Sequence, residues 1–282
     1  MKKRLFISFF IFYLVAGFVV WGTFIFEQFS YAFLGAFLSA FSGVIYFIGI
    51  YTFDRSSNNI ARTKYYGFIN YAGLLLVVIN LTDHPEPLHY VAGFYAGLNL
   101  VMWDKYVRWY SVYGERNVAV KIDKKLPAKG NLFLNGEEIA ASSICEKPAV
   151  WIFYRGNWCP FCVAHINEVV AKYQEISALG FQINFVSTQN ETHTKSLGDK
   201  FGLEANFLFD KDGTFSSTLG MTDPTGLPFG LEVFNYQSPV LYPAIIITDK
   251  NGVVRFFDVT DNYRDRMAAE LILEELRRFG NA

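Results

Sequence analysis

The fold is decided by the stretch from Arg155 to Cys162, which reads Arg-Gly-Asn-Trp-Cys-Pro-Phe-Cys. It holds two of the three cysteines of the chain, separated by two residues. Apolar and aromatic residues at 149–154 precede it, and apolar residues at helical spacing follow it over 163–179. The pattern predicts a Cys-x-x-Cys pair where a strand ends and a helix begins. Such a pair is typical of redox sites, whereas a secreted disulfide framework needs more cysteines.

Other uses of a Cys-x-x-Cys pair must be compared with redox chemistry. A zinc site would need further ligands, for which Cys145 and His165 are the nearest candidates. A covalent c-type haem needs a histidine directly after the second cysteine, where this chain has Val163. A purely structural pair remains open. We expect no metal and no cofactor, an inert Cys145, and surface positions for His165 and His193.

Charged residues are unevenly distributed along the 282 residues of the chain. Residues 1–104 carry only 6 of the 25 Lys and Arg and 5 of the 26 Asp and Glu. Four uncharged stretches in this part are each long enough to cross a bilayer: 5–26, 28–53, 65–82 and 87–103. We therefore predict an all-α bundle of four transmembrane helices over 1–104, an interfacial linker over 105–121 and a soluble domain over 122–282. Three asparagines in or near the spans are expected to form interhelical hydrogen bonds: Asn70, Asn80 and Asn99.

The loops between these stretches indicate an orientation. Basic residues lie at the N-terminus and after the second and fourth stretches: Lys2, Lys3, Arg4, Arg55, Arg62, Lys64, Lys105, Arg108 and Arg116. The loop at Glu27 and the loop from Asp83 to Glu86 contain no Lys or Arg. Because loops rich in Lys and Arg remain in the cytoplasm, we expect a multi-pass protein of a bacterial inner membrane with its soluble domain on the cytoplasmic side.

The soluble part alternates between strand and helix patterns. Asn135-Gly136 predicts a hairpin turn. Strands are expected at 149–154, 181–186, 205–209, 244–248 and 253–259, and helices at 163–179, 192–201 and 266–279. This order predicts a thioredoxin-like α/β fold with a parallel half and an antiparallel half of the sheet.

The two cysteines are expected to have different roles. A thiolate is the reactive form of cysteine, and a helix N-terminus favours the anion. Cys159 would lie at this N-terminus, before Pro160 in the first turn, so we expect Cys159 to be the nucleophile. Cys162 would lie one turn deeper as the resolving thiol. Trp158 is expected to cover one side of the site, and Arg155 to add positive charge.

Pro243 is a further candidate site residue. It stands in Tyr242-Pro243-Ala244, directly before an apolar run with β-branched residues. Thioredoxin-like domains place a cis-proline here, facing the dithiol, and we expect the same of Pro243. An ordinary trans proline at the start of a strand is the alternative.

The motif from Tyr154 to Cys162 resembles the Phe/Tyr-Arg-Gly-x-Trp-Cys-Pro-x-Cys motif of peroxiredoxin-like proteins of the AhpC/TSA type. Residues 242–244 (YPA), 249–255 (DKNGVVR) and 262–266 (NYRDR) match later blocks of that family in the right order. The resemblance covers about 120–280. It implies a thioredoxin fold and a thiol-dependent antioxidant or disulfide oxidoreductase activity, in which Cys159 matches the attacking or peroxidatic thiol.

The chain departs from this family at one point. Typical peroxiredoxins show Pro-x-x-x-Thr/Ser-x-x-Cys, in which the hydroxyl helps to hold the peroxide. Counting back from Cys159 gives Gly156 at the hydroxyl position and Ile152 at the proline position. We therefore expect thiol–disulfide exchange first, with a thiol peroxidase and a redox sensor or scaffold as alternatives.

The partners follow from these expectations. A thiol donor of the thioredoxin or glutathione type and a disulfide or peroxide substrate are implied by the resemblance, and a lipid bilayer by the apolar stretches. The net charge of −1 and the lack of a basic run in the soluble part give no sign of nucleic-acid binding.

Overall fold

The computed structural model describes residues 2–52, 63–201 and 205–280. The described residues form two units, divided between Val112 and Tyr113. Several sequence expectations lie outside the described residues: the end of the second apolar stretch at Phe53, and the charges of Asp54, Arg55 and Arg62 in the loop that follows it.

The first unit consists of helices, as the apolar stretches predict. They are α1 (Lys2–Glu27), α2 (Tyr31–Thr52), α3 (Thr63–Asp83) and α4 (Pro87–Lys105), and a π-helical turn at Tyr106–Tyr110 continues α4. Pro87 occupies the first turn of α4, where its missing N–H costs no hydrogen bond.

Three of these helices are long and apolar enough to cross a membrane: Lys2–Glu27, Tyr31–Ile50 and Thr63–Asp83. The expected fourth span is helical as well, but α4 is not among the helices that qualify by length and composition. Polar residues such as His89 and Asn99 within α4 reduce its apolar character. The number of four spans therefore stays a prediction.

Buried polar side chains connect the helices of this unit. Asn70 accepts a hydrogen bond from the Ser39 hydroxyl at 2.8 Å and donates one to Ser42 Oγ at 2.6 Å. Asn99 donates to Asn70 Oδ1 at 2.8 Å. The expected interhelical hydrogen bonds of Asn70 and Asn99 are thus confirmed, and they join α2, α3 and α4.

The second unit is built on a mixed sheet. Its described strands are β1 (Asn131–Leu134), β2 (Glu137–Ala140), β3 (Ala149–Phe153), β4 (Gln182–Ser187), β5 (Asn206–Phe209), β8 (Ala244–Thr248) and β9 (Val254–Val259), in the order β2-β1-β5-β4-β3-β8-β9. Strands β3, β4 and β5 are parallel, whereas β8 and β9 pair antiparallel to their neighbours. This confirms the thioredoxin-like fold with a parallel and an antiparallel half. Strands β6 (Thr222–Asp223) and β7 (Val240–Leu241) form a separate small pair.

Helices cover the sheet and connect its strands. They are α5 (Ala141–Ile144), α6 (Pro160–Ala171), α7 (Tyr173–Ala178), α8 (Glu191–Phe201), α9 (Thr214–Thr218) and α10 (Ala269–Gly280), with a 3-10 turn at Leu231–Phe234. The helix expected over 163–179 begins earlier, at Pro160, and is divided at Lys172. The predicted hairpin turn is confirmed, because Asn135 (φ 52°) and Gly136 (φ 90°) both adopt the positive φ that such a turn requires.

The centre of the sheet positions the cysteine motif. All five residues of β3 are buried, because β3 lies between β4 and β8 and both of its faces are covered. In the core, Trp151 and Phe153 of β3 pack against Phe215. The chain leaves this fixed strand at Phe153 and enters α6 at Pro160, so the motif spans a short connection between two anchored elements.

Candidate active site

Cys159 and Cys162 lie at the start of α6, as the sequence predicts. Cys159 is the residue before the first helical turn, with an extended backbone (φ −93°, ψ 111°), and Pro160 opens the helix. The amide of Cys162 donates to the carbonyl of Cys159 at 3.0 Å, which closes the first turn. Both side chains are only 1% exposed. The dithiol is therefore a buried pair at a helix N-terminus.

Two donors converge on the sulfur of Cys162. The backbone N–H of Arg155 lies 3.4 Å from Cys162 Sγ, and the guanidinium Nη2 of Arg266 lies 3.7 Å from it. Both donors are buried with the sulfur. A hydrogen bond and a positive charge at these distances stabilise a thiolate more than a thiol.

The two cysteines therefore differ in acidity. Burial raises the pKa of Cys162, but the hydrogen bond from Cys159, the charge of Arg266 and the amide of Arg155 outweigh it and lower this pKa to about 5. Burial and the neighbouring Cys162 raise the pKa of Cys159 well above its ordinary value. The two donors favour a thiolate on Cys162. The sequence pattern assigned the nucleophile to Cys159, and that assignment stays a prediction.

Arg155 is held in place by aromatic rings and a loop carbonyl. Its guanidinium lies 5.0 Å from the ring centre of Trp158 and 4.7 Å from that of Tyr263, and its Nη2 donates to the carbonyl of Gly226. Asp223 shapes the loop that presents this carbonyl, because its Oδ1 accepts the amide of Thr225 at 2.9 Å. The expected positive charge of Arg155 near the dithiol is thus present, and its amide contributes as well.

Arg266 is a site residue that the sequence analysis did not single out. It lies in the segment between β9 and α10, within the family-like block 262–266. His165 of α6 fixes this segment, since its Nε2 lies 3.1 Å from the carbonyl oxygen of Met267. The resemblance of residues 262–266 to the family could have drawn attention to Arg266. That resemblance does not show which residue Arg266 contacts.

His165 was expected at the surface, but it is buried on α6 and only 3% exposed. Burial, followed by the charge of Arg266, lowers the pKa of His165 to about 3, so the ring is neutral at physiological pH. A neutral ring can donate its N–H to Met267 without adding a second charge beside Arg266. The reason for burial is its position on the face of α6 that carries Phe161, Cys162 and Ile166.

Hydrogen bonds and close packing hold the segment between β3 and α6 in place. Gln189 accepts the amide of Asn157 at 2.8 Å and donates to Tyr154 Oη at 3.1 Å. Tyr236 donates to Asn157 Oδ1 at 2.7 Å. Gly156 has a φ of +150°, and a Cβ there would lie 2.5 Å from Trp158 Nε1. Trp158 thus packs against Gly156 and over Arg155, and its covering of the dithiol stays a prediction.

Pro243 does not have the expected cis conformation. Within the described residues, the cis peptide bond recorded is Ser238–Pro239, so Tyr242–Pro243 is trans. The amide of Tyr242 donates to the carbonyl of Met221 at 2.8 Å, which keeps the chain extended into β8. A trans proline is compatible with this extended backbone, because the residue before a strand needs no N–H for pairing. Pro243 is buried and directly precedes Ala244, the pairing partner of Phe153, and its role at the site stays a prediction.

Cys145 is separate from the dithiol. It lies in the core cluster with Ala141 and Ala149. Burial, followed by the charge of Glu146, raises the pKa of Cys145 to about 12, so the thiol remains protonated. Within the described ranges 2–52, 63–201 and 205–280, no group of three or more His, Cys, Asp or Glu side chains is arranged to hold a metal ion.

The second unit is similar to known proteins. The model of the AhpC/TSA family matches residues 122–257, so the resemblance seen in the motif is confirmed for this part of the chain. A search of curated proteins gave no match. Among solved structures, reduced Prx3 from Vibrio vulnificus is 23% identical, with 56% of this chain and 99% of that chain covered and a TM-score of 0.49. AhpC from Enterococcus faecalis is 19% identical, with 56% and 91% covered and a TM-score of 0.46.

Proposed function

We propose, from the AhpC/TSA match and the site geometry, that this chain is a membrane-anchored thiol peroxidase in which Cys159 and Cys162 cycle between dithiol and disulfide. The match supports a thiol peroxidase or thiol oxidoreductase in general. The observation that carries the finer proposal is the convergence of the Arg155 amide and the Arg266 guanidinium on Cys162 Sγ. A thiolate held in this way is ready to attack a peroxide oxygen.

The burial of the pair favours a small oxidant. Both cysteine side chains are 1% exposed. The sulfur of a protein disulfide must come into contact with the attacking sulfur, which needs a larger opening than a peroxide does. Hydrogen peroxide or the end of an organic hydroperoxide is little larger than water. A peroxide therefore fits a closed dithiol better than a folded disulfide partner does.

The position of Cys162 also changes how the family motif aligns. In Pro-x-x-x-Thr/Ser-x-x-Cys the hydroxyl residue stands three positions before the reactive cysteine. Counted back from Cys162, this position is Cys159 and the proline position is Arg155. The thiol of Cys159 then replaces the hydroxyl, and it also provides the second sulfur of a disulfide.

The proposed cycle oxidises Cys162 first, then forms a disulfide with Cys159, and ends with reduction by donor thiols. The Cys162 thiolate attacks one oxygen of ROOH, an S–O bond forms, the O–O bond breaks, and RO⁻ leaves and takes up a proton to become ROH. Cys162 is now a sulfenic acid. The Cys159 thiol attacks this sulfur, so that a disulfide forms and water leaves. Two donor thiols, of the thioredoxin or glutathione type, reduce the disulfide and become a disulfide themselves.

Anchoring in the membrane is supported by the three helices that are long and apolar enough to cross one. The basic residues Lys2, Lys3 and Lys105 favour an inner-membrane protein whose second unit faces the cytoplasm. In that reducing compartment the resting state would be the dithiol.

A thiol–disulfide oxidoreductase is the second candidate function. It is favoured by the position of Cys159 directly before α6, the usual place of an attacking cysteine in a Cys-x-x-Cys pair. It would require Cys159 to become exposed and deprotonated during the reaction.

Turnover assays separate the two candidates. The full-length protein in detergent would be tested for peroxide consumption with a dithiol donor and, separately, for reduction of insulin disulfides. We expect peroxide turnover in the wild type and in Cys145→Ser, and none in Cys162→Ser. Equal peroxide rates in Cys162→Ser and wild type would refute the proposal. Insulin reduction without peroxide turnover would favour the second candidate.

A further inference from the structure

Tyr113 belongs to the second unit and has no role in the cycle proposed above. It lies ahead of the AhpC/TSA match at 122–257, in the segment that follows the π-helical turn. Its hydroxyl oxygen is shielded from solvent and has no hydrogen-bond partner among the described residues. A buried hydroxyl without a partner loses its hydrogen bond to water, which costs about 1–3 kcal/mol unless another partner compensates for it. A buried hydroxyl without a partner is therefore a candidate for a functional role.

The ring of Tyr113 is fixed at the edge of the sheet where the motif begins. It packs edge-on against Tyr242, with 4.8 Å between ring centres, and the guanidinium of Arg116 lies 5.3 Å from its ring centre. Its amide donates to the carbonyl of Asp261 at 2.8 Å. Tyr242 lies two positions before Ala244, which pairs with Phe153 at the end of β3. The ring of Tyr113 therefore lies near the start of β8, which pairs with the end of β3 that leads into the motif.

The charges that act on Tyr113 are those of the dithiol site. Burial raises the pKa of Tyr113 above its ordinary value, and Arg155, Asp223, Arg266 and Cys159 are the charged and titratable groups that modify it. The phenol is therefore protonated at neutral pH. It can donate a hydrogen bond.

We propose that the Tyr113 hydroxyl is a catalytic hydrogen-bond donor that holds the leaving oxygen of the peroxide while the Cys162 thiolate attacks the other oxygen. This inference rests on the proposed peroxidase function. Negative charge develops on the leaving oxygen as the O–O bond breaks, and a fixed donor stabilises that charge. The alkoxide takes its proton from solvent, and Tyr113 remains neutral. Tyr113, which lies outside the matched residues 122–257, would add a hydroxyl donor beside the thiol of Cys159.

The test compares two reactions of the same sulfur. The full-length protein in detergent, fully reduced, would be mixed with hydrogen peroxide, and the rate of thiol loss would be measured. A parallel sample would be alkylated with iodoacetamide, in which the thiolate attacks carbon and iodide leaves, so that no peroxide oxygen takes part. The variant is Tyr113→Phe, which keeps the ring that packs on Tyr242. The control is Tyr173→Phe on α7, another partly buried tyrosine.

We expect Tyr113→Phe to slow oxidation by roughly tenfold, as the loss of one hydrogen bond in the transition state would. Alkylation in this variant and both reactions in Tyr173→Phe should match the wild type. Equal oxidation rates in Tyr113→Phe and wild type would overturn the inference and leave the peroxidase proposal intact. An equal slowing of alkylation would also overturn it, because Tyr113 would then act on the thiolate. A wild type that does not react with peroxide would refute the proposed function itself.

Discussion

The guanidinium of Arg266 lies 3.7 Å from the sulfur of Cys162, although 104 positions separate the two residues in the chain. This contact joins the start of α6 to the segment before α10. It places a fixed positive charge beside the cysteine that the Arg155 amide also contacts. The acidity of Cys162 thus depends on the hydrogen bond from Cys159 within the Cys-x-x-Cys pair and also on this tertiary contact.

Removal of this charge should make Cys162 less acidic. We expect Arg266→Met to raise the pKa of Cys162 by about 1–3 units, since an opposite charge within about 4–6 Å has an effect of this size. The ultraviolet absorbance of the thiolate, followed against pH in the full-length protein, measures the midpoint. In the wild type the thiolate signal should persist down to a pH of about 5. Arg277→Met, at an exposed position on α10, is the control. An unchanged midpoint in Arg266→Met would contradict this role.

His165 should make the second unit less stable in acid. Its folded-state pKa is about 3 and its ordinary value is 6.5. Between these values the unfolded chain binds a proton that the folded chain does not. The free energy of unfolding therefore falls as the pH decreases from 6.5 towards 3, by at most about 1.4 kcal/mol per pH unit from this residue.

Chemical denaturation at several pH values, followed by tryptophan fluorescence, measures this slope. His165→Gln should reduce the slope over that range, because glutamine does not titrate. His193→Gln is the matched control, at a partly exposed histidine on α8. The same slope in His165→Gln and in the wild type would show that His165 is not the responsible group.

Gly156 is expected to tolerate no side chain. Its φ of +150° disfavours other residues, and an added Cβ would lie 2.5 Å from Trp158 Nε1. Gly156→Ala should therefore displace Trp158 from Arg155, destabilise the second unit by about 1–3 kcal/mol and slow thiol oxidation. Gly114→Ala provides the comparison, because a Cβ there meets nothing within 4 Å. Equal stability and equal oxidation rates in the two variants would contradict the close packing of Trp158.

The sequence allowed the fold to be predicted because its signals are local. The apolar run of β3, the Asn135-Gly136 turn and the apolar periodicity of α6 each specify an element through neighbouring residues. The position of the two cysteines at a strand–helix junction followed directly. The four-helix character of the first unit was also predictable, although only three of its helices qualify as spans.

The electrostatics of the site could not be predicted in the same way. The contact of Arg266 with Cys162 depends on how the segment after β9 packs on α6. The burial of His165 and the trans bond before Pro243 likewise depend on packing. For these two residues local sequence favoured the opposite expectation, a surface histidine and a cis-proline.

The orientation in the membrane leads to a separate prediction. Single cysteines would be introduced at His84, in the exposed loop between α3 and α4, and at Lys250, in an exposed turn of the second unit. With a membrane-impermeant thiol reagent on intact cells, His84→Cys should be labelled and Lys250→Cys should react only after permeabilisation. The reverse pattern would place the dithiol on the outer side and contradict the cytoplasmic assignment.

The most direct measurement asks which sulfur is oxidised first. Single equivalents of hydrogen peroxide would be added to reduced Cys159→Ser and Cys162→Ser proteins, and a sulfenic-acid-specific probe would be located by peptide mass spectrometry. We predict a sulfenic acid at Cys162 in Cys159→Ser, because the disulfide cannot form, and an unreacted Cys159 in Cys162→Ser. A sulfenic acid at Cys159 with an unreacted Cys162 would contradict it.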